Sequence, residues 1–429
     1  MKRVLVIAYY WPPSGGSGVQ RWVKMCKYLP SFGWTPVVYT PEDPAVTSTD
    51  LSLLEDIDPL LEVLKQPIVE PGKFAGKTTS STVTPINSSS KGLKQRLMMW
   101  IRANVFIPDP RVVWVRPSVK FLKKYLKEHP VDAIISTGPP HSMHLIARKL
   151  SMDTGIPWVA DFRDPWTKMY YLKYLPLTGR SRRAQENMEA SVLREASRIV
   201  AVTPLMKEDF GAMTTTPVEM ITNGYDEGDF PASMPSAGSD NNGLFTLLHA
   251  GLLASDGNPV QLWKALGEMT AENPLFASRL RLQLCGKTDA AVLESIREAG
   301  LEHYVDNVGY QPHDKVVRLM RNASALLLPL RNAAEYRPII PGKTFEYLAS
   351  RRPVMGIGQK DGAMAAVLED AGAGETFEWE DKDGMKAWME DKFRKFIAGE
   401  LDDNASSPEK YSRRNLARQF AALLDDISI

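Results

Sequence analysis

Residues Arg3 to Thr40 read RVLVIAYYWPPSGGSGVQRWVKMCKYLPSFGWTPVVYT, and this stretch decides the fold. Arg3 to Tyr10 is a β-rich apolar run, of the kind that suits a strand buried on both faces of a parallel sheet. Pro12-Pro13-Ser14-Gly15-Gly16-Ser17-Gly18 then turns the chain. Val19, Trp22, Val23, Cys26 and Leu29 follow at helical spacing. Gly33 stops that helix, and Pro36 to Thr40 is a second strand, which completes a βαβ unit. The rhythm recurs. Ala133 to Ser136 reads as a strand, His141 to Leu150 as a helix, Trp158 to Ala160 as a strand, Arg180 to Ala196 as a helix and Arg198 to Val202 as a strand.

From Asp226 to Gly243 the chain becomes DEGDFPASMPSAGSDNNG, poor in apolar residues and rich in turn formers, which reads as an interdomain linker. A second alternating series starts beyond it, with strands expected at Phe245 to His249, Arg279 to Cys285, Asp306 to Tyr310, Ala325 to Pro329 and Pro353 to Ile357. The expected fold class is therefore α/β, with two doubly wound sheets facing a cleft. The 429 residues suffice for two such domains at roughly 150 or more residues each. A last helix, Tyr411 to Leu424, follows a polar break at DDNASSPEK.

Composition narrows the function. The 52 Lys+Arg and 51 Asp+Glu nearly cancel, so polyanion binding, and nucleic acid as a partner, are disfavoured. Two distant cysteines, Cys26 and Cys285, offer neither a disulfide framework nor a cysteine zinc site and fit a reducing cytoplasm. The longest apolar run, within ASALLLPL, falls far short of the roughly 20 residues that span a bilayer. Met1-Lys2-Arg3 before an apolar run imitates a signal peptide, but PPSGGSGVQRW reads as a turn opening a helix, not as a cleavage site.

Four stretches carry candidate chemistry. The Gly15-Gly16-Ser17-Gly18 cluster sits where a doubly wound sheet presents its ligand crevice. It is either a plain strand–helix turn or a place where backbone N–H groups approach a phosphate or sugar. Its spacing is not that of a dinucleotide fingerprint, and no cofactor is expected. Asp161-Phe162-Arg163-Asp164-Pro165-Trp166 follows a strand, as a local Asp–Arg cap or as site carboxylates. His141 and His144 open a helix after Gly138-Pro139-Pro140, and either packs or lines the site. In Pro341-Gly342-Lys343-Thr344-Phe345-Glu346, a glycine turn enters a helix carrying a lysine and a glutamate three residues apart on one face. That arrangement can hold a nucleotide, with Glu346 accepting ribose hydroxyls while Lys343 and the helix N-terminus meet phosphates. Two D-x-D strings, Asp56-Ile57-Asp58 and Asp381-Lys382-Asp383, follow no buried strand and read as acidic turns, so no metal site is expected. Pro71 to Ser90 reads as a mobile segment. After it, Leu93, Leu97, Trp100 and Ile101 form one helical stripe among Lys91, Lys94, Arg96 and Arg102, which either packs on its own domain or touches a membrane surface.

Together, PGKTFEYLASRRP (341–353), VLVIAYYWPPSGGSGVQR (4–21), ITNGYD (221–226) and DFRDPW (161–166) resemble glycosyltransferase family 4 over nearly the whole chain, in the right order. The resemblance implies two Rossmann-like domains of the GT-B type and a retaining, sugar-nucleotide-dependent enzyme, closest to the bacterial branch that builds surface and exported polysaccharides. It assigns 1–225 to an acceptor domain, 226–243 to the linker, 244–405 to a nucleotide-sugar domain, and 406–429 to a helix returning to the first domain. Glu346 matches the second acid of the family's E-x7-E element. The first acid would fall at Pro338, and Glu335 is displaced. Gly251 matches the strand-end glycine, but the loop Ser255-Asp256-Gly257-Asn258 lacks the usual basic residue, leaving the diphosphate to Lys287, Arg337 or Lys343. Arg163 stands where many relatives have a histidine.

The implied activity is a metal-independent, hexosyltransferase-type transfer from a nucleoside diphosphate sugar to a hydroxyl of a lipid-linked glycan, in the cytoplasm with peripheral contact to the inner, anionic face of the membrane. The donor set is Gly15, Gly16, Gly18, Asn223, Gly251, Lys287, Arg337, Gly342, Lys343, Thr344 and Glu346. Asp161 or Asp164 would orient the acceptor, Arg163 would neutralise charge, and His141 would line the site. A sugar-nucleotide 2-epimerase of related fold, or a non-catalytic nucleotide- or glycan-binding scaffold, is the alternative.

Overall fold

The computed structural model describes residues 1–45, 49–70, 93–231, 243–401 and 408–428. The expected mobile stretch Pro71 to Ser90, most of the expected linker and most of DDNASSPEK lie outside them. The chain divides into two compact units, Met1–Thr222 with Arg413–Ile429, and Asn223–Ser412.

The first unit carries seven strands: β1 (Lys2–Ile7), β2 (Trp34–Pro41), β3 (Glu62–Gln66), β4 (Ala133–Gly138), β5 (Trp158–Phe162), β6 (Arg198–Ala201) and β7 (Val218–Met220). All pair in parallel, in the order β3-β2-β1-β4-β5-β6-β7. The helices are α1 (Ser17–Tyr28), α2 (Leu93–Asn104), α3 (Val115–Glu128), α4 (Ser142–Thr154), α5 (Gly179–Glu195) and α6 (Pro204–Gly211). The period of two in a strand explains the continuous apolar runs. Leu5 and Ile7 enter one core, with Val37, Tyr39 and Ile134, while Val4 and Val6 enter another on the opposite face, with Val38 and Ile135.

The second unit contains β8 (Phe245–Ala250), β9 (Leu280–Cys285), β10 (Val305–Gly309), β11 (Ala325–Pro329), β12 (Val354–Ile357) and β13 (Gly374–Phe377), parallel in the order β10-β9-β8-β11-β12-β13. Its helices are α7 (Val260–Glu272), α8 (Pro274–Arg279), α9 (Ala290–Glu298), α10 (His313–Asn322), α11 (Lys343–Ser350), α12 (Ala363–Asp370) and α13 (Lys382–Ala398). One core of aliphatic and aromatic side chains serves this unit.

The last helix, α14 (Arg413–Ile427), lies in the first unit. Leu416, Phe420 and Leu424 recur at four-residue spacing and are buried, with Phe420 5.2 Å from the Trp22 ring. Each such side chain contributes roughly 1.5–3 kcal/mol of apolar burial. Asp425 accepts from Lys2 at 3.0 Å and from the Trp34 indole at 3.2 Å, which fixes the far end of the helix. In both sheets the strand order reverses beside a central strand, between β1 and β4 and between β8 and β11. Ligands of doubly wound folds bind at the carboxyl ends of those strands.

Candidate functional site

In the first unit, the end of β5 is built around Asp161. Its carboxylate accepts from Arg21 Nη2 at 2.8 Å, Arg21 Nε at 3.2 Å, Trp22 Nε1 at 2.8 Å and Thr137 Oγ1 at 2.9 Å. Arg21 also donates to the carbonyls of Ile221 at 2.8 Å and Thr222 at 2.5 Å. Both members of the ion pair are fully buried. Asp161 therefore ties α1, β4 and β5 together and is not placed to orient an acceptor as expected: it has no exposed surface, and four protein donors already engage it.

Arg163 and Asp164, just past β5, are half-buried. Arg163 N donates to Gly138 O at 3.0 Å, and its Nη2 donates to Pro139 O. Its guanidinium lies against Gly18 in the first turn of α1, so that a Cβ on Gly18 would overlap it. The bare Cα expected to admit a ligand thus admits an arginine. Gly16, with φ 114°, takes the left-handed turn into α1, whose start has no side-chain cap. Burial pulls the Arg163 pKa down, with Asp164 and Asp161 opposing, and burial raises the Asp164 carboxyl against Arg163. The Asp164 carboxylate makes no hydrogen bond or ion pair among the described residues, which leaves it free to accept.

His141 precedes α4, whose start is held by Asp109, accepting from Ser142 N and Oγ at 2.9 Å each. The His141 ring stacks on Trp166 at 4.7 Å, with 4° between the planes. Burial lowers its pKa well below the usual value, helped by His144 and Arg163. His144, fully buried beside it, is pushed down to about 3 by burial and then by Arg163, so both imidazoles are neutral at pH 7.

The second unit gathers a different set. Tyr347 of α11 accepts from Ala250 N at 2.8 Å and donates to Leu327 O at 3.4 Å, which docks the helix across the ends of β8 and β11. Gly251, with φ 137°, follows β8, and a Cβ on Gly286 would overlap the Gly251 carbonyl, so both positions require glycine. Gly342 leads into α11 without a side-chain cap, and of the first N–H groups that of Thr344 is taken by Pro341 O while that of Lys343 is left for another acceptor. Lys343 Nζ stands 2.5 Å from Glu346 Oε2, both partly exposed on that helix start. The charges of Glu346 and Lys343 also reach His313, at the start of α10. His313 pairs with Asp229 at 3.2 Å, and that hydrogen bond is the main reason its pKa is raised. Lys315 and Lys343 both act on Cys285 at the end of β9, whose thiol burial pushes up.

The other expected donor residues divide. Lys287 is exposed just past β9 and makes no ion pair among the described residues. Arg337 pairs with Asp361 at 2.9 Å. Asn223 and Gly224 are half-buried in the stretch after β7. Thr344 is fully buried, its N donating to Pro341 O at 3.0 Å, and its Oγ1 has no hydrogen-bond partner among the described residues. The sequence reading missed Arg21 and Thr137 as partners of Asp161, Tyr347 as the clasp of α11, and His313 and Lys315 beside Lys343.

One carboxylate of each D-x-D string is held by lysines. Asp56 pairs with Lys24 and Lys27, and Asp381 caps α13 at Gly384 N and pairs with Lys360. Among the described residues, no group of three or more His, Cys, Asp and Glu side chains is placed to hold a metal ion.

Residues 15–224 match the glycosyl transferase 4-like domain family. Of solved structures, Anabaena HepE in complex with UDP is similar over 99% of this chain and 100% of that one, with 15% identity and a TM-score of 0.60. Sucrose-phosphate synthase from Thermosynechococcus elongatus is similar over 100% and 99%, with 13% identity and a TM-score of 0.62. WaaG, a glycosyltransferase involved in lipopolysaccharide biosynthesis, is similar over 98% and 99%, with 13% identity and a TM-score of 0.57. No curated protein matches the chain in sequence. At these identities the structural likeness shows the fold, two Rossmann-like domains in one chain.

Proposed function

The chain belongs to the glycosyltransferases that carry a glycosyl transferase 4-like domain on the GT-B fold, and from that premise we propose that it moves a sugar from a nucleoside diphosphate to a hydroxyl of a lipid-linked glycan, with retention, in polysaccharide synthesis. The observation that carries this reading is the start of α11, where an uncapped helix end, Lys343 and Glu346 meet at the strand-order reversal of the second sheet. Glu346 accepts the two ribose hydroxyls, releasing Lys343 toward the diphosphate. That HepE has been solved with UDP supports a nucleotide donor of this class.

In the reaction, the bond from the anomeric carbon to the phosphate oxygen breaks and the nucleoside diphosphate leaves with the electron pair. The acceptor oxygen bonds to the same face of the sugar, and its proton passes to the departing phosphate oxygen. The α11 N-terminus and the lysines at Lys287, Lys315 and Lys343 face the growing negative charge without needing to reorganise. Metal independence follows as part of the reading, because helix dipole and ammonium groups supply the positive charge. Asp164, half-buried and unbonded, orients the acceptor hydroxyl, while neutral His141 lines the site.

The α2 helix supports a peripheral contact with an anionic membrane. Leu97 is 59% and Trp100 44% exposed, Met98 is exposed with them, and Leu93–Asn104 contains no acidic residue. The side chains of Leu93 and Lys94 lie outside the described residues, as does Lys91. No described helix is long and apolar enough to cross a membrane. A panel of UDP-, GDP- and TDP-sugars, assayed for binding and slow hydrolysis, tests the reading. Binding of none of them removes it, and release of an epimerised nucleotide sugar without acceptor replaces it.

A further inference from the structure

Several buried donors converge at the end of β4 without acceptors. Ser136 Oγ accepts from Trp158 Nε1 at 2.8 Å, so its single hydroxyl hydrogen is left for His144 Nδ1, also at 2.8 Å. With that hydroxyl hydrogen given to Nδ1, the imidazole proton sits on Nε2. The Nε2–H is fully buried, has no acceptor, and lies 2.5 Å from where a Cβ on Gly138 would stand. His141 Nδ1, on a residue 7% exposed, points to the same place at 3.1 Å and is equally unpartnered. Arg163 joins this group through Gly138 O and Pro139 O. Its Nε–H is buried without an acceptor, and its guanidinium rests on the first turn of α1.

No carboxylate neutralises that guanidinium at ion-pair distance. Asp161 is committed to Arg21, and Asp164 makes no ion pair. A cation, a neutral imidazole donor and an uncapped helix N-terminus all lack an acceptor, and an oxyanion with several oxygens would satisfy them at once. Apolar groups or a single sugar hydroxyl would leave most of the buried N–H groups unpaired.

We propose that these groups bind a phosphate ester carried by the acceptor, so that the enzyme glycosylates a phosphorylated molecule. The inference rests on the glycosyl-transfer reading. It favours the acceptor over the donor as the source of the phosphate because the second unit has its own cationic set, Lys287, Lys315 and Lys343, for a nucleoside diphosphate. Arg163 is then a substrate-binding group, and His144 positions the anion through a proton held on Nε2 by Ser136.

The test is calorimetric titration of inorganic phosphate into the full chain saturated with UDP. Wild type binds phosphate, Arg163→Gln weakens that binding tenfold or more, and its UDP affinity stays within twofold. Arg163→Lys keeps the charge but loses the planar fork, and weakens phosphate binding by several fold. It also serves as the readout if unfolding curves show that Arg163→Gln does not fold. Unchanged phosphate binding in both variants overturns the proposal. So does a tenfold loss of UDP affinity in either, which would give Arg163 to the donor diphosphate. Should no nucleotide bind wild type, the glycosyl-transfer reading fails separately. Phosphate titrated into the nucleotide-free chain then decides between Arg163→Gln and Lys343→Gln as the variant that loses it.

Discussion

Arg21 and Asp161, both fully buried, form a two-pronged ion pair that locks the first helix to the end of β5. Removing one partner leaves the other charge buried and uncompensated, which costs about 3–5 kcal/mol. Asp161→Ala and Arg21→Ala are each expected to lower the urea-unfolding free energy by about that amount. The double variant should fall well short of the sum. An Asp161→Asn protein with wild-type stability and abolished transfer would return this residue to the substrate.

Glu346→Gln should behave in the opposite way. Its pairing with Lys343 is partly exposed and contributes little to stability, so the unfolding temperature should hardly move. Two charge-assisted hydrogen bonds to ribose hydroxyls, at roughly 1.5–3 kcal/mol each, would be lost on binding, so donor affinity should fall by a factor on the order of 100 or more. Calorimetry and thermal unfolding on the same preparation separate the two effects. A stability collapse that accounts for the lost affinity sinks the assignment.

The contrast between these carboxylates shows what was legible in the sequence. The parallel sheets could be read because continuous apolar runs such as Val4 to Ala8 are required when both faces are covered. The edge strands β3, β7 and β13 went unread, since a strand with one open edge, such as Glu62–Gln66, is short and half-exposed and carries charges. The position of Glu346 on a helix start beside Lys343 could be read because a glycine turn and helix spacing are local signals. Asp161 could not, because what occupies it comes from Arg21, Trp22 and Thr137, on elements whose adjacency only the folded sheet creates. The same holds for Gly18, whose missing side chain makes room for an arginine that follows β5, two strands away.

Transfer should persist in excess chelator. Asp56 and Asp381 are engaged by lysines, and the charge on the leaving diphosphate is met in this mechanism by Lys343 and the α11 N-terminus. Complete loss of activity in chelator, restored by magnesium or manganese, would show the mechanism to be wrong.

The exposed Leu97 and Trp100 should bring the protein to vesicles containing anionic lipid, weakly and reversibly, since one short helix face buries little area. In liposome flotation, the doubly substituted Leu97→Glu/Trp100→Glu protein should remain at the bottom of the gradient. Equal flotation of both proteins would leave α2 a surface helix of its own domain.

His144 predicts a pH dependence of stability whose direction is fixed by its burial. In the unfolded chain its imidazole titrates near the ordinary value of about 6.5, whereas in the folded protein burial and Arg163 push it down to about 3. Between those values the unfolded state binds one more proton than the folded state, so the contribution is intact above about pH 6.5 and is lost as pH falls. The loss approaches roughly 1.4 kcal/mol per pH unit for this one group, and His141, lowered for the same reason, adds to it in the same direction. His144→Asn removes one of the two protons. Its stability relative to wild type should therefore improve steadily from about pH 6.5 to about pH 4, whatever fixed cost the substitution carries at neutral pH. Urea midpoints measured for both proteins across that range give the difference directly. A wild-type-minus-variant difference that does not change with pH would mean that His144 takes up its proton in the folded state and that burial does not hold it neutral.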